Sequence, residues 1–381
     1  MTARKIINYI WAFFNALVIV GESVFVWAII SNEKNVNLGL WNFIQGNFAG
    51  FTRFEGLIVN AVKILIVLVI LALSCVAFSK VKANLRIWNM SIDIWLLLNL
   101  VFTAFIVLSV IVQFRNYYQY YLEQCEIYGV RTMVESERAI VHGAGYIANE
   151  RGEVYDYTNS LDALTNSYNM GNRIVEMDFL WTTDGKMVCA HENEIFARGI
   201  DTDKPLTEKE FLAKKSYGSF TTMNVEMLAD FMREHPDLYI VTDFKYGLPE
   251  SCEYISQVYP DLRDRFIVQM YHYGQYDFIR NLGFNNIILT LYLIANDERN
   301  LEELCEFVKA HDLVAITFWE SYLENAEEWG EGEEFLSEVK ALDIPTCVHT
   351  VNDKEDTIRD FELGVTAIYT DNVDNGWLKE F

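Results

Sequence analysis

The pattern of apolar and polar positions divides the chain into two regions. Up to about residue 115 three long apolar runs dominate, at Ile6–Ile30, Leu57–Ser79 and Ile92–Phe114. Each run is long enough to cross a hydrocarbon layer of roughly 30 Å as a helix, which takes about 20 residues, and no polar face recurs within it at helical spacing. The pattern therefore predicts a membrane anchor of three transmembrane helices over residues 1–115.

From residue 136 to residue 381 the pattern changes to short apolar runs that alternate with amphipathic stretches of helical length. Alternating strands and helices are typical of a parallel sheet, and eight such units favour an α/β fold of the (β/α)₈ or TIM-barrel class. The eight candidate strands are Ala139–His142, Ile174–Asp178, Leu238–Asp243, Phe266–Met270, Ile287–Leu291, Leu313–Thr317, Pro345–Val351 and Thr366–Thr370.

One segment interrupts this alternation. The residues Thr182-Thr183-Asp184-Gly185 join the second strand to the apolar run Met187–His191 and leave no room for a helix. An Asp-Gly pair between two apolar runs is typical of a hairpin turn. We therefore expect Met187–His191 to be the return arm of a hairpin above the barrel rim, which brings His191 back to that rim.

Residues 116–135 lie between the two regions and are interpreted as an interfacial linker. Five tyrosines in this segment suit the aromatic belt that flanks membrane spans. They are Tyr117, Tyr118, Tyr120, Tyr121 and Tyr128.

Flanking positive charges predict the orientation of the anchor. Lys and Arg are enriched before the first span and between the second and third, and they are sparse in the loop of residues 31–56. Because cytoplasmic loops carry the excess of positive charge, the N-terminus is expected inside and the barrel outside. The predicted location is therefore the cell membrane, with a multi-pass anchor and an extracytoplasmic barrel.

Composition and charge exclude several classes of protein. An apolar content of 51% with only 5 Pro in 381 residues is unlike a disordered or collagen-like chain. The net charge of −24, made up of +5 over residues 1–115 and −29 beyond them, argues against nucleic acid as a partner. The 6 Cys form no Cys-x-x-Cys pair, which argues against a zinc site or a disulfide framework.

Polar residues cluster at the carboxyl ends of the predicted strands, where the chemistry of such barrels is found. His142 ends the first strand, Glu176 and Asp178 close the second, and Asp243 and Lys245 close the third. Side chains two positions apart on a strand point to the same face. Three converging carboxylates would repel each other unless a cation lies between them, and an all-oxygen set favours Mg²⁺ or Ca²⁺.

Each of these residues alone is also compatible with a structural role. Solvated strand ends often carry acids, and Lys245 could simply neutralise Asp243. Gln269 and His349 end strands as well, but only their position commends them. The combination of two histidines with three carboxylates on neighbouring rim elements is what favours a functional site.

The sequence resembles the glycerophosphodiester phosphodiesterase family, whose barrel is related to that of phosphatidylinositol-specific phospholipase C. The similarity spans about residues 139–373, and its long central block is the specific part. The matching stretches are V-H-G-A-G at 141–145, Y-T-N-S-L-D-A-L at 157–164 and V-E-M-D-F-L-W-T-T-D-G-K-M-V-C-A-H-E at 175–192, with weaker ones at 239–245, 268–271, 349–352 and 368–371.

The resemblance implies roles for the rim residues. His142 and His191 would be the general acid and base that flank the scissile phosphodiester, in an order that the sequence leaves open. Glu176, Asp178 and the third-strand acid, Asp243, would bind the divalent metal. Lys245 would offset negative charge on the phosphate oxygens. The sequence departs from the family at two positions: Gly143 stands where the family usually has Arg, and Asp243 where it usually has Glu.

The leading hypothesis is a membrane-anchored, metal-dependent phosphodiesterase that cleaves glycerophosphodiesters to glycerol phosphate and an alcohol. The anchor suggests a substrate near the envelope, such as a lipid head group or a glycerol-phosphate polymer. Two alternatives remain open, namely a phospholipase C-type lyase that makes a cyclic phosphate and a catalytically silent barrel that binds phosphate-bearing ligands.

Overall fold

A computed structural model describes residue 115 and residues 118–381, with gaps at 193–196, 295–298, 324–325, 327–328 and 330–331. The chain forms two compact units, Met1–Tyr121 and Leu122–Phe381. The three predicted membrane spans lie outside the described residues. Within the described part of the chain, none of the helices combines the length and the apolar character that crossing a membrane requires.

Eight parallel strands form a closed barrel, which confirms the predicted fold class of the second unit. Each strand pairs with the next in chain order, and the eighth strand pairs with the first at Ala139↔Ile368. The ring closes where Val141 of the first strand pairs with Val175 of the second. The strands are β1 Ala139–Val141, β2 Ile174–Trp181, β3 Tyr239–Phe244, β4 Phe266–Met270, β5 Ile287–Thr290, β6 Ala315–Trp319, β7 Thr346–His349 and β8 Ala367–Thr370.

Helices between the strands cover the outside of the barrel. In the helix that precedes β2, the Ser160 side chain accepts a hydrogen bond from the Ala163 backbone N–H at 3.1 Å, and Gly171 takes a left-handed φ of 98° just beyond the end. Both features are typical of helix ends. The helices are Leu161–Asn169, Val225–Glu234, Leu248–Val258, Tyr276–Asn281, Leu301–Ala310, Gly332–Lys340 and Lys354–Leu363.

Strand alternation gives the barrel an apolar floor. Outward residues of the strands, such as Val175 and Met177, belong to the large core shared with the helices. Inward residues at the amino ends of the strands form a separate buried cluster inside the barrel, which we call the lower layer. The lower layer consists of Ile140, Ile174, Val241, Ile267, Ile288, Ala315, Cys347 and Ala367.

A helix closes the barrel beneath the lower layer. Residues 118–137 are helical, and from Leu122 onward they belong to the barrel unit. Ile127, Val130 and Val134 recur at helical spacing and are buried in the same cluster as the lower layer. The segment expected to be a linker therefore supplies part of the barrel core, which begins before residue 136. The predicted tyrosines that are described, Tyr118, Tyr120, Tyr121 and Tyr128, are exposed.

The insertion between β2 and β3 begins with the predicted hairpin. Met187–Cys189 runs antiparallel to the end of β2, with Trp181 opposite Met187. A short strand, Met223–Asn224, pairs with the other edge of this arm. The arm therefore extends the sheet above the rim, as expected, and does not add a ninth barrel strand. Between these strands lie the helix Glu208–Leu212 and the small hairpin Lys215–Ser216 with Phe220–Thr221.

Candidate active site

The same alternation that builds the lower layer places polar and aromatic residues at the mouth of the barrel. Two or four positions beyond each residue of the lower layer, a charged or aromatic side chain follows on the same face. We call these residues the upper layer: His142, Glu176, Asp178, Asp243, Tyr271, Tyr292, Trp319, His349 and Asp371.

Three carboxylates of the upper layer come together, as the sequence predicts. One oxygen each from Glu176, Asp178 and Asp243 lie within 4.8 Å of one another, and the first two residues are buried. Lys245 Nζ lies 2.8 Å from Asp178 Oδ1 and 2.6 Å from Asp243 Oδ2. The Tyr271 hydroxyl donates to Asp243 Oδ1 at 2.6 Å. The lysine thus balances only part of the negative charge in this cluster.

The electrostatics of the cluster favour a further cation. Burial, and next the Asp178 charge, raise the pKa of Glu176 to about 8. Burial acts in the same direction on Asp178, but the Lys245 and His191 charges outweigh it and lower the pKa of that carboxyl. A group of oxygen donors with uncompensated charge fits a hard divalent cation such as Mg²⁺ or Ca²⁺.

Hydrogen bonds fix the ring of His142 and the backbone that follows it at the end of β1. Its Nδ1 lies 2.9 Å from Asp371 Oδ1, and the backbone N–H of Gly143 donates to Glu176 Oε2 at 2.7 Å. Burial alone would lower the pKa of His142, but the Asp371 hydrogen bond and the charges of Glu176 and Asp178 raise it. This histidine is therefore fixed in orientation beside the carboxylates and is easily protonated.

His191 reaches the same region from the antiparallel arm. The Ala190 backbone N–H donates to the Asp178 carbonyl at 3.0 Å, and His191 Nδ1 donates to the Glu192 carbonyl at 2.7 Å. The rings of His142 and His191 both contact the ring of Tyr157, at centroid distances of 4.4 and 5.0 Å. The structure thus brings the two predicted histidines against one side chain.

The backbone of Gly143 explains why the residue that follows His142 is small. Gly143 has a left-handed φ of 55°, and a Cβ there would lie 3.2 Å from Tyr157 Cα. A larger residue would need the Tyr157 backbone to shift. The local fold therefore favours glycine at position 143, where the resemblance to the family leads us to expect Arg.

Sequence reasoning missed two residues that support the site. Asn159, fully buried, donates to Asp178 Oδ2 at 2.7 Å and accepts from the Asp178 backbone N–H at 3.0 Å. Asp371 orients His142 and accepts from Asn352 Nδ2 at 2.6 Å. Asp371 directly follows β8, so the strand-end rule that singled out Glu176 could have found it.

Of the two strand-end residues left unassigned, Gln269 has structural surroundings, whereas His349 lies at the mouth against the ring of His142. Gln269 is buried and accepts hydrogen bonds from the hydroxyls of Thr290 and Tyr369, at 3.2 and 3.1 Å. Burial, followed by the charges of His142 and Lys245, lowers the pKa of His349 to about 3. His349 is therefore a neutral ring.

Residues 151–375 match the glycerophosphoryl diester phosphodiesterase family. The match covers more than half of the chain, so the chain belongs to this family of phosphoric diester hydrolases, and the resemblance seen in the sequence is confirmed. Membership of this family supports glycerophosphodiester phosphodiesterase activity for the chain. Among curated proteins, no match was found.

Several solved structures resemble the chain at low sequence identity. A glycerophosphodiester phosphodiesterase from Thermotoga maritima is 19% identical, with a TM-score of 0.48 over 64% of this chain and 98% of its own. An Oleispira antarctica phosphodiesterase, in complex with the product sn-glycerol-3-phosphate, is 16% identical, with a TM-score of 0.47 over 64% and 96%. A protein from Galdieria sulphuraria is 15% identical, with a TM-score of 0.49 over 64% and 96%.

Proposed function

We propose that this chain hydrolyses glycerophosphodiesters to glycerol phosphate and an alcohol with the help of a divalent cation. The observation that carries the proposal is the mouth of the barrel, where His142 and His191 share contact with Tyr157 beside the cluster of Glu176, Asp178 and Asp243.

The two histidines would carry out complementary proton transfers in such a reaction. One imidazole takes a proton from the attacking water as its oxygen bonds to phosphorus, and the other gives a proton to the alcohol oxygen as its bond to phosphorus breaks. In each ring Nδ1 is engaged by a protein oxygen, which leaves Nε2 for the reacting groups. Asp371 fixes the ring of His142 and favours its protonated form.

Glu176, Asp178 and Asp243 would hold the cation. When bound, it would stabilise negative charge on the phosphate oxygens. Lys245 contributes a second positive charge at the same place, and Tyr271 and Asn159 keep the carboxylates in position through their hydrogen bonds. Mg²⁺ and Ca²⁺ both suit this donor set.

The anchor and the location of the substrate belong to the same proposal. The apolar runs of residues 1–115 and their flanking charges support a multi-pass anchor with the barrel outside the cytoplasm. A barrel held at the cell envelope would meet lipid head groups or glycerol-phosphate polymers.

The test is hydrolysis by the full-length chain of a panel of glycerophosphodiesters, with Mg²⁺, with Ca²⁺ and with chelator, followed by ³¹P NMR of the products. His142→Ala is compared with His235→Ala, a half-buried histidine that, like His191, bonds a backbone carbonyl and that lies outside the mouth. Cation-dependent release of glycerol phosphate, lost only in the His142 variant, supports the proposal.

Other products would favour the alternatives. A cyclic phosphate would favour the lyase, and phosphate binding without turnover of any diester would favour a silent binding barrel. Equal activity in chelator would contradict the assigned role of the carboxylates.

A further inference from the structure

Tyr157 lies where both histidines meet. Its ring contacts His142 and His191 edge-on, and its backbone is held in the left-handed region at a φ of 49°. Its hydroxyl makes no hydrogen bond with the residues that the structure describes. Burial and the charges of Glu176, Asp371 and Asp178 raise the pKa of this phenol. The hydroxyl is therefore a neutral donor beside the catalytic centre with no acceptor among the described residues.

Arg198 lies on the face of the same ring. Its guanidinium carbon is 4.1 Å from the Tyr157 ring centroid, and its backbone N–H donates to the His191 carbonyl at 2.7 Å. Nη2 pairs with Asp156 Oδ1 at 3.1 Å, and Nε donates to the Tyr217 hydroxyl at 3.2 Å. The Arg198 side chain is 37% exposed. An ion pair at such exposure is weak and can be exchanged for another anion.

The charge of the mouth makes such a cation useful. Lys245 is already engaged by Asp178 and Asp243, and Glu176 and Asp371 add further negative charge. A phosphodiester carries a negative charge of its own and would be repelled by this surface as long as no cation is bound to the carboxylates. A guanidinium at the entrance offsets that repulsion and matches the geometry of phosphate oxygens.

We propose that Tyr157 and Arg198 form a phosphate-binding pair for the substrate. The Tyr157 hydroxyl donates to one non-bridging oxygen, and the Arg198 guanidinium turns from Asp156 to the phosphate while it stays on the tyrosine ring. The inference rests on the proposed function and deepens it, because it names the residues that hold the anion between the two imidazoles.

The chain contains a matched control for this pair. Arg173 lies 4.1 Å from the ring centroid of Tyr168 and pairs with Asp237 at 2.6 Å. This stack has the same composition, but Arg173 precedes β2 and so lies at the opposite end of the barrel from the mouth. Arg173→Gln and Tyr168→Phe therefore report what loss of a comparable stack does to folding alone.

The experiment measures two quantities on the full-length chain in Mg²⁺: the Kd for inorganic phosphate by calorimetry, and kcat and KM for the best diester. A charge-assisted hydrogen bond is worth about 1.5–3 kcal/mol, so Arg198→Gln is expected to raise Kd and KM by roughly 10- to 100-fold. Its effect on kcat is expected to be smaller. Arg198→Lys should recover part of the loss, and Tyr157→Phe should raise Kd while keeping the ring contacts with both histidines.

Each outcome decides for or against the pair. Unchanged Kd and KM in Arg198→Gln would overturn the inference even if the wild type is fully active. Equal losses in Arg173→Gln would also overturn it, because the effect would then be structural. A wild type that turns over no diester would refute the proposed function, whereas the phosphate Kd values would still test the pair.

Discussion

The lower and upper layers of the barrel are built by the same strands and the same alternation, yet their chemistry is opposite. In the lower layer Ile174 and Val241 pack against the closing helix. Two and four residues along, the same two strands carry Glu176, Asp178 and Asp243. The lower layer stabilises the fold by burying apolar surface, while the upper layer buries charges that cost stability unless something compensates them.

This difference indicates which residues mainly determine stability and which mainly determine the reaction rate. A change in the lower layer should lower stability and spare the reaction rate of the folded protein. A change in the upper layer should do the reverse. The four predictions below test that separation, from the largest expected effect to the smallest.

Removal of a histidine should have the largest effect on activity. His142→Ala and His191→Ala are each expected to lower kcat by about 10²- to 10⁴-fold, because general acid–base catalysis contributes that much. Steady-state kinetics measures the activity of each variant, and a thermal melt measures its stability. A kcat close to that of the wild type in either variant would contradict the assigned role.

A cavity in the lower layer should have the largest effect on stability. Ile288 is fully buried under the mouth, so Ile288→Ala is expected to lower the free energy of unfolding by about 2–5 kcal/mol. The kcat of the folded fraction should stay nearly unchanged. Denaturant unfolding and kinetics below the transition check this, and a large fall in kcat would show that the layers are not separate.

Asp371→Asn should alter the pH profile of activity. Burial lowers the pKa of His142, and Asp371 opposes it through its hydrogen bond and charge, so the variant should have a lower His142 pKa. The limb of the kcat/KM profile that belongs to His142 should then move to lower pH, whichever role it has. The expected loss in kcat/KM is about 10- to 100-fold, from the loss of one charged hydrogen bond.

Asp237→Asn provides the control for Asp371, because Asp237 is an exposed partner of Arg173. Asp237→Asn should change neither the pH of the His142 limb nor the value of kcat/KM. If neither limb moves in Asp371→Asn, the Asp371 pair does not control the titration of His142.

Removal of the cation should have a pH-dependent effect on stability. The pKa of Glu176 is raised from 4.5 to about 8, so the unfolded chain loses this proton at lower pH than the folded chain. In chelator, the contribution of Glu176 to stability should therefore be full below about pH 4.5 and should be lost as the pH rises towards about 8. Added Mg²⁺ or Ca²⁺ should raise Tm more at pH 8 than at pH 5, and Glu176→Gln should abolish that difference.

Much of the fold was predictable because the alternation of strands and helices is strong. The eight strands and the hairpin at Asp184-Gly185 follow from local patterns. The closing helix was less visible, because its buried residues Ile127, Val130 and Val134 lie among exposed tyrosines in a segment next to the anchor. The sequence of an amphipathic helix resembles that of a linker when only one narrow face of the helix is buried.

The site was predictable where it depends on strand ends and not where it depends on loops. The three carboxylates and the two histidines were found because strand geometry brings them together. Asn159 and Tyr157 lie in a loop whose left-handed residues fold it back over the mouth, and no local pattern predicts that path. Arg198 follows the antiparallel arm, so its contact with Tyr157 depends on how the insertion packs.

The most direct test of the central claim compares two glutamates, one at each end of the barrel. Glu126 accepts hydrogen bonds from Asn285 and Asn286, both at 2.9 Å, beneath the lower layer, and burial raises its pKa as it does that of Glu176. The measurement is calorimetric binding of Mg²⁺ or Ca²⁺, with diester hydrolysis, for the full-length wild type, Glu176→Gln and Glu126→Gln. We expect Glu176→Gln to lose cation binding and turnover, and Glu126→Gln to keep both with a lower Tm. Cation binding and turnover that survive in Glu176→Gln would contradict the account.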